Sequence, residues 1–164
     1  MALLLLVSNG CLFAPEIEEE PEEILYPPEI VLESLQPPDN GILLLPQTEC
    51  ELDFRPGLVR DLNVKDRLYV RWFLDWDPEE IRDFWPVFSI DPSGQADRLF
   101  PEYAWDTVNV EQFGGGETHT LKLFLADRSP MAGGNGTEFQ EGSEAQWDTY
   151  QWTFRVDASG VCPQ

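Results

Sequence analysis

Positive charge, cysteine and histidine are all scarce in this chain, and each shortage weighs against a class of function. Ten Lys and Arg stand against 31 Asp and Glu, a net charge of −21, so contact with phosphate backbones or anionic headgroups is repulsive wherever salt does not shield it. A nucleic-acid role is therefore not expected. One histidine, His119, and three cysteines, Cys11, Cys50 and Cys162, fit no zinc-ligand spacing. No loop has the Asp-x-[Asp/Asn]-x-[Asp/Asn]-Gly pattern of an EF-hand. The apolar run Ala2–Val7 falls far below the ~20 residues that cross a bilayer. What is present suffices for a fold: 42% hydrophobic and 12% aromatic residues supply one core, in a length that suits one domain with appendages.

The apolar run passes through Ser8-Asn9-Gly10 to Cys11 and then into Leu12-Phe13-Ala14-Pro15. This junction resembles the lipobox of bacterial lipoproteins, where a leader is cut just before a cysteine that carries lipid. Gly10 matches the cleavage position, while Ser8 and Asn9 stand where an aliphatic and a small residue are usual. No Lys or Arg precedes Arg55 to form a basic leader region. The resemblance implies a leader at 1–10, lipidation at Cys11 and an envelope location, on either the periplasmic or the outer surface. The alternative is a short buried strand or a free apolar end at residues 2–7.

With Cys11 used for lipid, Cys50 and Cys162 remain to pair in an oxidising compartment. That bridge would stabilise the fold by roughly 4–5 kcal/mol on the chain-entropy account. Two unrelated thiols are the alternative. Between Ala14 and Pro28 six glutamates mix with four prolines. Charge repulsion and proline stiffness make 11–28 an extended tether after the cysteine.

From Glu29 to the C-terminus the period becomes two, punctuated by proline and glycine, which predicts strands. Strands are expected over Ile30 to Leu35, Ile42 to Phe54 with a break near Pro46, Arg67 to Leu74, Val87 to Ile90, Asp97 to Phe100, Thr107 to Gln112, Thr118 to Asp127 and Tyr150 to Val156. Leu68, Val70, Trp72 and Leu74 share one face, as do Leu121, Leu123 and Leu125. Asp77-Pro78-Glu79-Glu80 carries an N-cap acid and a first-turn proline, which reads as a helix of about two turns stopped by Pro86 or, at this length, as a turn with no helix. The fold class is all-β, an antiparallel sandwich of about seven strands over residues 29–164. Tyr69-Val70-Arg71-Trp72 followed by Gly116-Glu117-Thr118-His119-Thr120-Leu121-Lys122-Leu123 resembles the C and F strands of immunoglobulin-like domains of the PKD or fibronectin III sort.

Catalysis is not expected. His119 has no nucleophile in a recognisable pattern, and its register places it on the face of Leu121 and Leu123. The carboxylates Asp75, Asp77, Glu79, Glu80 and Asp83 crowd one connection and form a candidate calcium set of hard oxygen ligands, with an ordinary solvated loop as the plain reading. The loop from Asp127 to Asp148 is expected at the opposite end of the sandwich, beside the Arg55 to Lys65 connection, and is the candidate recognition loop. Its Asn135-Gly136-Thr137 matches a glycosylation acceptor by chance. Trp76, Trp85, Trp105 and Trp147 lie near strand ends, where exposed rings could stack on sugars; Trp72 and Trp152 belong to the core pattern. The reading from sequence is a lipid-anchored, noncatalytic domain with a structural or protein-interaction role, whose partner is an unknown envelope protein or glycan. A carbohydrate-binding module, calcium-assisted or not, is the second reading.

Overall fold

The computed structural model describes residues 24–38, 41–47, 51–77, 87–104, 106–109, 113, 115–130, 137–139 and 144–162. Eleven strands follow one another: β1 (Glu29–Ile30), β2 (Leu35–Gln36), β3 (Ile42–Leu45), β4 (Glu51–Pro56), β5 (Leu58–Arg60), β6 (Leu68–Leu74), β7 (Phe88–Ile90), β8 (Asp97–Leu99), β9 (Asp106–Asn109), β10 (Thr118–Ala126) and β11 (Trp147–Val156). One layer is a five-stranded sheet in the order β3-β11-β10-β6-β7; the other contains β1-β5-β8 and β2-β4-β9. All pairs are antiparallel except β3 with β11, which run parallel. The chain is an all-β sandwich.

The second layer is kinked, and the Ser34 hydroxyl and carbonyl help hold the kink, the carbonyl accepting from Gly57 N at 2.7 Å. A 3₁₀ turn at Leu32–Ser34 separates β1 from β2, and Gly57 separates β4 from β5. Ser34 Oγ donates to the Val31 carbonyl (2.6 Å) and accepts from the amides of Gly57 (3.1 Å) and Leu58 (2.9 Å). This local hydrogen bonding competes with a continuous ladder. The expected strand over Ile30 to Leu35 is therefore two short strands with different partners. Ile42 to Phe54 also divides, at Pro46 as expected, but its halves β3 and β4 go to different layers. These two breaks, together with β5 inside the expected Arg55 to Lys65 connection, give eleven segments where about seven strands are expected. The 3₁₀ turns at Leu32–Ser34 and Glu102–Ala104 are the helical elements among the described residues, and the expected helix after Asp77 lies outside them.

The core fills from both layers. Leu68, Val70, Leu121, Leu123 and Leu125 are fully buried, as the alternation predicts, and Leu74 is half-buried. Trp72 of β6 and Trp152 of β11 lie 5.8 Å apart with a 30° tilt. Phe54 of β4 meets the Trp152 ring edge-on at 5.5 Å, and Phe100 meets Trp72 at 6.5 Å. Each indole finds an acceptor across the core: Trp72 Nε1 donates to the Ala104 carbonyl (2.8 Å) and Trp152 Nε1 to that of Pro37 (2.9 Å). Pairing of this kind offsets the cost of burying an N–H.

The two ends of the described chain are both tied down. Asn63 accepts from the Tyr26 amide (2.8 Å) and donates to the Ile24 carbonyl (3.0 Å), and Pro28 is buried. Within the span expected as tether, the backbone groups of Ile24 and Tyr26 are thus held to the 61–66 connection by one amide side chain. At the other terminus the chain turns at Asp157–Gly160 and Val161 N donates to the Leu44 carbonyl (3.3 Å), covering the free edge of β3. A Cβ on Gly160 would run into the Leu45 carbonyl and the Pro46 nitrogen. Gly160→Ala should accordingly cost about 1–3 kcal/mol, read as a lowered urea midpoint; an unchanged midpoint would mean the tail is not seated on β3.

Candidate binding face

The outward face of the five-stranded sheet differs chemically from the rest of the molecule. Register places Tyr69, Arg71 and Phe73 of β6, Thr118, Thr120, Lys122, Phe124 and Ala126 of β10, Trp147, Thr149, Gln151, Thr153 and Arg155 of β11, and Ile42 and Leu44 of β3 on this side. Ser89 of β7 pairs beside Tyr69. None of these positions carries a carboxylate, although the chain holds 31, while Arg71, Lys122 and Arg155 place three of its ten cations here. Strand propensity disfavours Asp and Glu, but the acid-bearing strands β1, β4, β8 and β9 show that this sandwich tolerates them elsewhere.

Half of this face is roofed and half is open. Over β6 and β10, Phe73, Phe124 and Ala126 form a small second core with Trp76 and Phe139 packed against it. Lys122 Nζ lies 4.1 Å from the Trp76 ring centroid, and burial pulls the pKa of this ammonium down, as it does for the Arg71 guanidinium. Phe124 stacks with Phe139 (5.9 Å, 30°) and with Trp147 (5.7 Å, 28°). Over β11 and β3 three apolar side chains are exposed: Trp147 at 54%, Ile42 at 59% and Leu44 at 43%. Trp147 is thus a ring fixed on one side by a buried phenyl and open on the other.

Asp75 and His119 meet at the end of the sandwich where β6 stops and β10 starts. Asp75 closes β6 at φ 46°, a left-handed conformation that Asp tolerates better than most residues. Its amide donates to the Thr120 carbonyl (2.8 Å), Oδ1 accepts from Thr120 N (2.7 Å), and Oδ2 lies 2.7 Å from His119 Nδ1. His119 Nε2 is 3.6 Å from Glu117 Oε2, and the ring packs against Phe113 (4.5 Å) and Phe154 (5.5 Å). The imidazole is a strand-end residue held by carboxylates and rings.

The opposite end carries buried charge. Asp61 and Arg98 pair at 3.0 Å with side chains 0% and 2% exposed. Arg98 also donates to the carbonyls of Asp66 (2.6 Å) and Asn63 (3.3 Å). Asp127 accepts from Gln146 N (2.9 Å) and lies 3.5 Å from Arg128, which is itself 3.7 Å from Asp66. Burial, more than any neighbour, pushes the carboxyls of both Asp61 and Asp127 up. The Asp127 loop therefore starts beside the 61–66 connection and away from Asp75.

The structure redistributes the residues singled out from sequence. Of the candidate calcium set, Asp75 is engaged by His119 and Thr120, Asp77 is half-buried, and Glu79, Glu80 and Asp83 lie outside the described residues. No group of three or more metal-ligating side chains occurs among the described residues. Trp76, expected to be exposed, is half-buried between Lys122 and Phe73. Trp147 is exposed, and Trp85 and Trp105 lie outside the described residues. Cys162 packs half-buried against the main core, while Cys50 and Cys11 lie outside the described residues. The roofed aromatic cluster was not anticipated; the pair Phe73 and Phe124 on the nominally polar faces of their strands was its only signal. No protein-family model, curated protein or solved structure matches the chain.

Proposed function

We propose that the chain is a lipid-anchored envelope protein: a leader at 1–10, lipid on Cys11, an acidic tether, and a noncatalytic immunoglobulin-like sandwich that binds a partner through its outward sheet face. The observation that carries the binding role is the exposed, acid-free half of that face, where Trp147, Ile42 and Leu44 are presented by strands rather than by loops. Apolar groups held open on a rigid sheet suit recognition. His119 bonds to Asp75 and closes a strand end, which favours a structural over a catalytic role. The order β11-β10-β6-β7 against β2-β4-β9 parallels G-F-C-C′ against A-B-E in immunoglobulin-like sandwiches. Cys50 is the proposed partner of Cys162, and an oxidising compartment agrees with both.

The test is the unreduced intact mass of protein extracted from membranes after expression from its natural upstream region. The expected result is a chain beginning at lipid-bearing Cys11 and lacking two hydrogens. An unmodified chain beginning at Met1 would overturn the anchor, and a full complement of thiol hydrogens would overturn the bridge.

A further inference from the structure

We infer that the open half of the outward face is a binding site for a neutral glycan, with Trp147 as the stacking platform. This rests on the reading of the sandwich as a noncatalytic binding domain and names the ligand class for that same face.

Three features point to this class. The first is the Trp147 ring: 54% exposed, yet stacked at 5.7 Å and 28° on Phe124, which is 2% exposed and also stacks with Phe139. A large flat apolar surface fixed before the ligand arrives loses little freedom on binding, and the C–H faces of a sugar ring fit such a surface. The second is the row beyond it. Thr149, Gln151 and Thr153 follow Trp147 at alternate positions on the outward side of β11, so hydroxyl and amide groups recur about every 7 Å along the strand. Each can donate and accept, which is what an array of sugar hydroxyls demands. Ile42, beside Thr153 on β3, ends the row with a second exposed apolar group.

The third feature is charge. A cationic ligand would meet Arg155 and find no carboxylate at the outward strand positions, the adjacent Asp157 being already paired with Arg155 at 3.3 Å, while a polyanion would approach a chain of net charge −21. An uncharged, hydroxyl-rich ligand avoids both penalties. Repulsion of anions by the surrounding surface then acts as discrimination in favour of neutral polymers.

The experiment is a titration of the full chain, followed by tryptophan fluorescence and calorimetry, with cellohexaose, maltohexaose and chitohexaose, and with polygalacturonate as the acidic comparison. The expected result is saturable binding of at least one neutral hexasaccharide and none of polygalacturonate. Trp147→Ala should weaken that binding at least about tenfold, and Trp147→Phe should restore most of it. A single cooperative melting transition in both variants would show that the fold is intact, with Trp147→Ala melting somewhat lower because it uncovers Phe124. Absence of binding to all three neutral sugars at millimolar concentration would overturn the inference, as would equal binding by Trp147→Ala. Binding of polygalacturonate that is lost in Lys122→Met but kept in Trp147→Ala would also overturn it, in favour of an anion site. New reducing ends during the titration would overturn the noncatalytic reading while leaving glycan recognition standing.

Discussion

Trp72→Ala is expected to remove about 3–5 kcal/mol of stability, a large part of the 5–15 kcal/mol margin typical of such domains. The ring is 1% exposed, lies tilted against Trp152 of its own sheet at 5.8 Å and meets Phe100 edge-on at 6.5 Å. Truncation would leave a cavity that rigid strands cannot close, and it would strand the Ala104 carbonyl, which accepts the indole N–H at 2.8 Å. That orphaned acceptor adds to the loss, since a buried polar group without a partner costs about 1–3 kcal/mol. Trp72→Phe separates the two effects by keeping much of the volume while losing the hydrogen bond, and should fall between the parent and Trp72→Ala. Urea unfolding measures all three. A loss under about 1 kcal/mol for Trp72→Ala would contradict a core organised around this ring.

Arg98→Met is the second substitution with a large expected effect, at about 3–5 kcal/mol near neutral pH. It leaves the fully buried Asp61 carboxylate without the guanidinium 3.0 Å away, and it removes the donors to the Asp66 and Asn63 carbonyls. The pH dependence gives the loss a signature. Burial already holds the Asp61 carboxyl above its ordinary value of 3.8. A carboxyl raised on folding contributes its stability fully below the unfolded value and loses it as pH rises through the folded one. Without Arg98 the folded value rises further, so the deficit of the variant should be greatest near neutral pH and shrink on acidification. Relief of the general negative charge acts on parent and variant alike, so the difference between their melting curves isolates Asp61. A deficit independent of pH would contradict the assignment, and Asp61→Asn added to Arg98→Met should recover part of the loss.

The long strands were legible because their pattern is simple. Thr118 to Ala126 alternates with Leu121, Leu123 and Leu125 inward, and nothing local competes with the ladder. The bend through Leu32–Ser34 was not legible, because it depends on Ser34 reaching amides at Gly57 and Leu58 more than twenty residues away. The same limit applies to the sites. Asp75 looked like part of a loose acidic loop, and only the β6–β10 register, which sets Leu74 beside Leu121, brings it to His119, 44 residues on. Trp76 and Trp147 look alike in sequence. They differ in exposure because Lys122 and Phe73 pack on the first, whereas the second has a buried phenyl on one side only. Alternation reports which face a residue takes; it does not report which loop will fold over that face.

The chain enters and leaves the sandwich at opposite ends. Ile24 and Tyr26 are clasped by Asn63 beside the start of β6, while Val161 is held by Leu44 past the close of β11, whose ten residues span about 33 Å. A pull between the two termini therefore runs along the strands. Their ladders would resist in shear, with many hydrogen bonds straining together, rather than unzipping one at a time. The parallel β3–β11 pair and the tail crossing over it would be the elements that set how much tension the molecule withstands before it yields.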